Sequence, residues 1–288
     1  MAKITGLAQK RRIVAVTHFY HTILLRVNEC IKLIAIKSAH PIQMSLSATA
    51  SLPPMLITPG QLAAKLKSKQ PLCILDATWF LNMPNAPVRN AHKEYLKGPR
   101  IPGALFWDVD AVSTKGDSVM NLPHMMPSGS LFAQAAAAKG ISRDTHVVVY
   151  DSHGIFSAPR TAFTFSAFGH KAISVLDGGL PAWVAAGEAV DSASLEKEPS
   201  LSRGTYPDPS LESGRVRSFQ EMLHNTTLGS SAQIVLDARP KERFDGTIPE
   251  PRPNMASGHI PHALSMPFMS VLDLSLIHIS EPTRLLSI

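Results

Sequence analysis

Few residues in this chain are of the types that make or break covalent bonds. Its 288 residues include two cysteines, Cys30 and Cys73. No Cys-x-x-Cys pair or Cys/His ligand spacing occurs, which argues against structural zinc and against a disulfide framework, and favours a reducing compartment. A phosphatase built on a Cys-x5-Arg loop is excluded, because neither cysteine is followed by that pattern. His259 and His262 are spaced like a turn rather than like zinc ligands. Two arginines stand in polar loops: Arg243 in PKERFDG after the apolar run VLDA, and Arg252 nine residues later in EPRP. A guanidinium presents a planar fork that can hold a carboxylate bidentately, although arginines in such loops are more often surface or ion-pairing residues. Asp151 closes the run HVVVYD, and Arg160 follows Ala158-Pro159. By type alone, Asp151 is a loop acid with a capping or turn role. Cys73 opens the strand CILDATW, where it reads as a small buried apolar residue.

The elements that would position these residues repeat once. Residues 58–80 and 216–244 each carry a short amphipathic helical stretch that leads to an apolar strand ending in Leu75-Asp76 and Leu236-Asp237 respectively. Each unit returns with a second matched piece, PRIPGALFWD at 99–108 and GHIPHALSMPF at 258–268. Asp76 and Asp237 lie 161 positions apart, and Pro102 and Pro261 lie 159 apart. Two matched pieces at a nearly constant offset argue for a duplicated module.

The first unit continues with helices predicted over 129–140, 157–169 and 180–187, and buried strands over 146–151 and 172–179. This alternation predicts an α/β fold with a mainly parallel central sheet flanked by helices. In such sheets, sites form at the carboxyl ends of the strands, which points to the stretch from Asp151 to Arg160. Residues 191–215, rich in Ser, Pro and charge, read as an interdomain linker.

The formal charge of +6 is unevenly spread. Residues 1–75 carry ten Lys/Arg against Glu29 alone, whereas the rest of the chain is slightly acidic. No basic stripe with interleaved aromatics runs through the body, so no nucleic-acid partner is expected. Residues 1–56 are basic, acid-poor and moderately apolar, and read either as a mitochondrial presequence or as untranslated upstream sequence ahead of Met44 or Met55. The run from Ile13 to Ile36 is interrupted by Arg26, Glu29 and Lys32, which falls short of the ~18 apolar residues of a membrane span. Mitochondrial placement is expected, with cytoplasmic as the alternative and no membrane partner.

The motifs ILDATWF, EYLKGPRIPGALFWDVD, HMMPS, DTHVVVYD, APR, FGH, SVLDGGLPAW, VLDARPKERFDG and EPRPNMASGHIPHALSMPF follow one another in an order that resembles the tandem rhodaneses. The nearest likeness is to the thiosulfate and 3-mercaptopyruvate sulfurtransferases, over residues 57–273. The resemblance implies two rhodanese domains, each a parallel sheet flanked by helices. Domain 1 (57–190) would be non-catalytic, with Asp151 and Arg160 in a vestigial site loop. Domain 2 (216–273) would be present only in its N-terminal part.

The implied chemistry moves a sulfane sulfur from 3-mercaptopyruvate or thiosulfate to a thiol or cyanide through a cysteine persulfide. Such a cysteine sits in a strand-to-helix loop whose N–H groups and helix dipole favour the thiolate. Arg243 and Arg252 match arginines that hold the carboxylate and keto group of mercaptopyruvate. A small sulfur donor and a thiol acceptor, such as a thioredoxin-like protein or a small thiol, are the implied partners, and no cofactor or metal is implied. Relatives often carry His where Arg100 stands, which removes any proton relay assigned there, and Gly where His262 stands. Asp151 lies 49 positions after Pro102, and the same offset from Pro261 falls near position 310, beyond Ile288. The nucleophilic cysteine is therefore expected outside this chain. Residues 274–288 have no counterpart in the repeat and read as foreign sequence. An incomplete second sheet is expected to fold poorly, and a non-catalytic binding or regulatory module is the alternative function.

Overall fold

A computed structural model describes residues 13–15, 52–68, 71–82, 87–114, 124–199, 201–251 and 255–272. Thr58 starts the first unit with a capping box shared with Gln61, and the first helix α1 (Pro59–Lys67) follows with proline in its first turn, where a missing N–H costs nothing. The chain then runs through β3 (Leu72–Asp76), α2 (Ala91–Lys97), β4 (Leu105–Phe106), α3 (Gly129–Ala138), β5 (His146–Tyr150), α4 (Ala158–Ala167), β6 (Ile173–Leu176) and α5 (Gly179–Ala185). Together with β2 (Leu56–Ile57) these strands form a parallel sheet in the order β2-β6-β5-β3-β4. The central strand β5 is apolar and buried along Val147–Tyr150, as expected of a strand covered on both faces. One face packs Phe132, Phe165, Phe168 and Trp107 against Val147 and Val149, and the other packs Leu62, Ile101 and Trp183 against Val148 and Tyr150.

The second unit repeats the first in detail. Ser218 and Glu221 form a capping box for α6 (Phe219–Thr226), as Thr58 and Gln61 do for α1. The strand β7 (Ile234–Asp237) leads through α7 (Lys241–Asp245) to β8 (Leu264–Ser265). Leu236 and Asp237 pair with Leu264 and Ser265 as Leu75 and Asp76 pair with Leu105 and Phe106. The next amide beyond each pair donates to the strand aspartate's carbonyl: Trp107 to Asp76 and Met266 to Asp237. The turn before each short strand needs a left-handed residue. Gly103 supplies it in the first unit (φ 76°) and His262 in the second (φ 66°), so the turn survives the loss of glycine, with the side chain held in a backbone region that disfavours it.

Two expectations on domain limits need correction. The fold does not begin at residue 57: the Pro54 carbonyl accepts from Ser174 Oγ, the Met55 carbonyl accepts from Val175 N–H, and Leu56 pairs with Val175. Farther upstream, Ile13–Ala15 form β1, parallel to Ile234–Leu236 in a sheet of order β1-β7-β8. Part of the expected leader therefore belongs to a sheet. Residues 274–288 lie outside the described residues.

The stretch 191–215, expected as an interdomain linker, packs along the first unit. Arg100 and Asp191 form a backbone bridge, and the Arg100 guanidinium, inside the fold, binds the Tyr95 carbonyl, the Asp191 carboxylate and the Ala193 carbonyl. Farther along, Leu195 N–H donates to Leu96, Gly204 N–H to Ala137 and Glu212 N–H to Ala167. Tyr206 is buried against Phe132, and its hydroxyl lies 3.1 Å from His170 Nδ1. The packing could not be read from composition because the strap binds mostly through its backbone, and Ser and Pro offer no apolar periodicity for sequence reading to catch.

Candidate functional site

The predicted site loop does leave the carboxyl end of the central strand. Asp151 follows β5 and has no exposed surface. Its carboxylate accepts five backbone N–H groups: His153 and Gly154 on Oδ1, and Phe156, Ser157 and Ala158 on Oδ2, all at 2.9–3.0 Å. Burial pushes this carboxyl above its ordinary value, and the amides of Ala158, Phe156 and His153 pull the other way. Ser157, the residue before α4, makes no side-chain cap; its hydroxyl donates to the Ala77 carbonyl and accepts from Trp79 N–H. Asp151 thus takes over the capping of the first α4 amides, which agrees with its reading as a structural loop acid. Below it, Asp76 is also buried, and burial lifts its carboxyl to about 6 against hydrogen bonds from Thr78.

Arg160 turns to the other side of the loop. It donates to the carbonyls of His124 and Met125, and so anchors the segment that enters α3. Burial pushes its guanidinium down to about 10, with Asp110 acting in the opposite direction. Beside it lies a group that the sequence did not single out. Asp110 accepts from Trp79 Nε1 at 3.0 Å and lies 2.5 Å from His124 Nε2, while the His124 ring meets Trp79 edge-on at 5.1 Å. The hydrogen bond from His124 holds the Asp110 carboxyl below its usual value. An imidazole fixed by a carboxylate is a competent proton carrier. Its members come from the ends of β3 and β4 and from the entry to α3, and no local pattern links residues 14 positions apart. The motifs WDVD and HMMPS were visible, but their contact was not.

In the second unit, Asp237 ends β7 as Asp76 ends β3. Arg239 binds Asp237 at 2.6 Å, Glu250 at 2.8 Å and the Gly258 carbonyl at 2.7 Å. Arg243 binds the same Glu250 through Nε at 3.2 Å and through a second, shorter contact from its terminal nitrogen. Glu250 is nearly enclosed, at 2% side-chain exposure, and pairs with both guanidinium groups, while Asp237 supplies a second carboxylate to Arg239. Arg243, expected in a loop, sits instead in the short helix α7 just after β7, with a carboxylate already in its fork. Arg252 lies outside the described residues. His259 stacks on Phe244 at 3.8 Å and contacts its carbonyl, which agrees with a turn role. Cys73 sits inside β3 beside Val147, and burial pushes its thiol up to about 12, which leaves it protonated and unreactive at neutral pH. Cys30 lies outside the described residues. No group of three or more metal-ligating side chains occurs among the described residues, and no helix among them is long and apolar enough to cross a membrane.

Parallel-sheet modules in tandem, each with a strand ending in an aspartate, and a strand-to-helix loop whose amides converge on an anion define a class of α/β proteins. The comparisons place the chain within it. The rhodanese-like domain matches residues 58–186, the first unit. The 3-mercaptopyruvate sulfurtransferase of Rattus norvegicus is 38% identical over 222 residues, covering 75% of this chain and 70% of the relative. The mitochondrial thiosulfate/3-mercaptopyruvate sulfurtransferase 1 of Arabidopsis thaliana is 40% identical, over 70% of this chain and 55% of that protein. Among solved structures, the Tum1 protein of Saccharomyces cerevisiae aligns with a TM-score of 0.69 at 32% identity, covering 77% of this chain and 73% of that one. The 3-mercaptopyruvate sulfotransferase SseA of Escherichia coli aligns at 0.63 and 27% identity. The chain belongs to the rhodanese family, and its tandem-domain relatives are sulfurtransferases. It spans about two thirds of the length of curated relatives that it matches.

Proposed function

We propose that this chain is part of a sulfurtransferase that moves a sulfane sulfur from 3-mercaptopyruvate or thiosulfate to a thiol or cyanide. The observation that carries this reading is Arg243, which sits in α7 shortly after the carboxyl end of β7, with Arg252 nine positions on in sequence, in a chain 38% identical to a 3-mercaptopyruvate sulfurtransferase. In the reaction, a cysteine thiolate attacks the sulfur of mercaptopyruvate. The carbon–sulfur bond breaks, the sulfur stays on the enzyme as a persulfide, and pyruvate leaves as an enolate that takes up a proton. An acceptor thiolate then attacks the outer sulfur and regenerates the cysteine thiolate. Arg243 and Arg252 would hold the carboxylate and keto oxygen, with the substrate meeting Arg243 on the guanidinium edge that Glu250 does not take.

The nucleophile itself is not supplied by Cys73, whose thiol stays protonated, nor by Asp151 in the first-unit loop. The acceptor is a small thiol or a thioredoxin-like protein, and residence is mitochondrial or cytoplasmic. The test is calorimetric titration with pyruvate, which carries the carboxylate and keto group without the sulfur. Binding should be lost or weakened at least tenfold in Arg243→Ala and in Arg252→Ala, since one charged hydrogen bond accounts for about 1.5–3 kcal/mol. Equal binding by both variants would remove the arginines from the site.

A second reading, a non-catalytic rhodanese-like binding or regulatory module, is favoured by the aspartate that fills the first-unit loop. It predicts that a chain extended through a cysteine loop would still form no persulfide with either donor.

A further inference from the structure

The loop that leaves β5 has an inside and a tip. Inside, five amides between residues 153 and 158 converge on the Asp151 carboxylate. At the tip, Ile155 and Phe156 leave the first unit. Ile155 is 1% exposed and packs with Leu236, Ala238, Phe268 and Leu272 of the second unit. Phe156 joins the same cluster, with its ring 6.3 Å from that of Phe268. The loop is braced from behind as well: Leu180 N–H donates to the Asp151 carbonyl, and a Cβ at Gly179 would stand 2.3 Å from that carbonyl and 2.4 Å from the Gly154 carbonyl.

We propose that Asp151 is the positioning residue of the interface between the two units: its carboxylate locks the loop in the one shape that delivers Ile155 and Phe156 to the second sheet. Five amides cannot turn inward together without a multivalent acceptor at their focus. A neutral amide side chain offers one oxygen and would set its own N–H groups against the loop's donors. The outward geometry of residues 155 and 156 follows from the inward geometry of their neighbours. The loop position that a catalytic unit uses for chemistry is thus used here to dock one unit on the other. This inference does not depend on the sulfur chemistry.

Hydrogen exchange on the 288-residue chain tests it at three places: the loop amides, Val147 in β5, and the second-unit amides of Met266 and Phe268, which donate to Asp237 and Ala238. Asp151→Asn should speed exchange about tenfold or more in the loop and also at Met266 and Phe268, with Val147 unchanged. Phe156→Ala should speed Met266 and Phe268 by a similar factor and leave the loop amides protected. The double variant should exchange no faster at Met266 and Phe268 than Phe156→Ala alone. The proposal is overturned if Met266 and Phe268 exchange freely in the unaltered chain, if Asp151→Asn leaves them unchanged, or if the two substitutions act additively. Should Asp151→Asn also open β5, Phe156→Ala decides alone: unchanged exchange at Met266 and Phe268 refutes the docking.

Discussion

Tyr206 gives the sharpest test of whether residues 191–215 are a strap or a tether. Its ring is 7% exposed, meets Phe132 edge-on at 5.3 Å and lies nearly parallel to His170 at 5.9 Å. Replacing a buried aromatic ring with a methyl group costs about 3–5 kcal/mol, from lost transfer energy and the cavity left behind. At roughly 2–4 °C per kcal/mol for a domain of this size, Tyr206→Ala should lower the melting temperature by roughly 10 °C. Tyr206→Phe separates the hydroxyl from the ring. His170 Nε2 lies 2.9 Å from the Thr145 carbonyl, an acceptor, so Nε2 carries the proton and Nδ1 accepts from Tyr206. Burial lowers the His170 pKa, consistent with a neutral ring. Removing the hydroxyl strands a buried acceptor, at about 1–3 kcal/mol. Urea unfolding followed by the fluorescence of the buried Trp107 and Trp183 reports both variants. A loss under about 1 kcal/mol in Tyr206→Ala would refute the strap and restore a free linker.

The remaining predictions concern chemistry and pH. The 288-residue polypeptide should produce no thiocyanate from thiosulfate and cyanide; turnover that disappears in Cys73→Ser would overturn the placing of the nucleophile elsewhere. Alkylation by iodoacetamide under native conditions should leave Cys73 unmodified, since burial holds its thiol near 12, and rapid native labelling there would contradict its burial. The His146 pKa is lowered from 6.5 to about 4, chiefly by burial. The unfolded chain therefore takes up a proton near pH 6.5 that the folded chain refuses, and His146 withdraws stability progressively as pH falls from about 6.5 to about 4. Asp76, raised to about 6, acts in the opposite direction over part of that window. The measurement is thus the difference in urea midpoint between the unaltered chain and His146→Gln: the variant should lose less stability on acidification, and parallel curves would contradict the assignment.

What could be read early was whatever is local or periodic. The run HVVVYD announced a strand buried on both faces, and the observed strand is His146–Tyr150. The repeat of Leu-Asp and Ile-Pro pieces predicted a duplicated module, and the pairing of Leu75 with Leu105 recurs as Leu236 with Leu264. The capping residues Thr58 and Ser218 signal their helices because an N-cap bond closes within three residues. By contrast, the strap escaped notice, and so did the burial of Arg100 against Asp191, since its hydrogen bonds join residues 91 or more positions apart. The same holds for the Asp110–His124 contact and for the claim of Glu250 on both Arg239 and Arg243.

Residue order alone was enough to predict a duplicated parallel α/β module and a loop acid at Asp151, because strand burial, turn chemistry and helix caps are set by neighbours a few positions away; that this acid stands where a nucleophile would be came from the family resemblance. Only the folded chain decided which charges meet, which amides converge on Asp151, and that Ile155 and Phe156 serve the second unit. Those outcomes depend on where strand ends from distant segments arrive in space, and short-range periodicity carries no record of that.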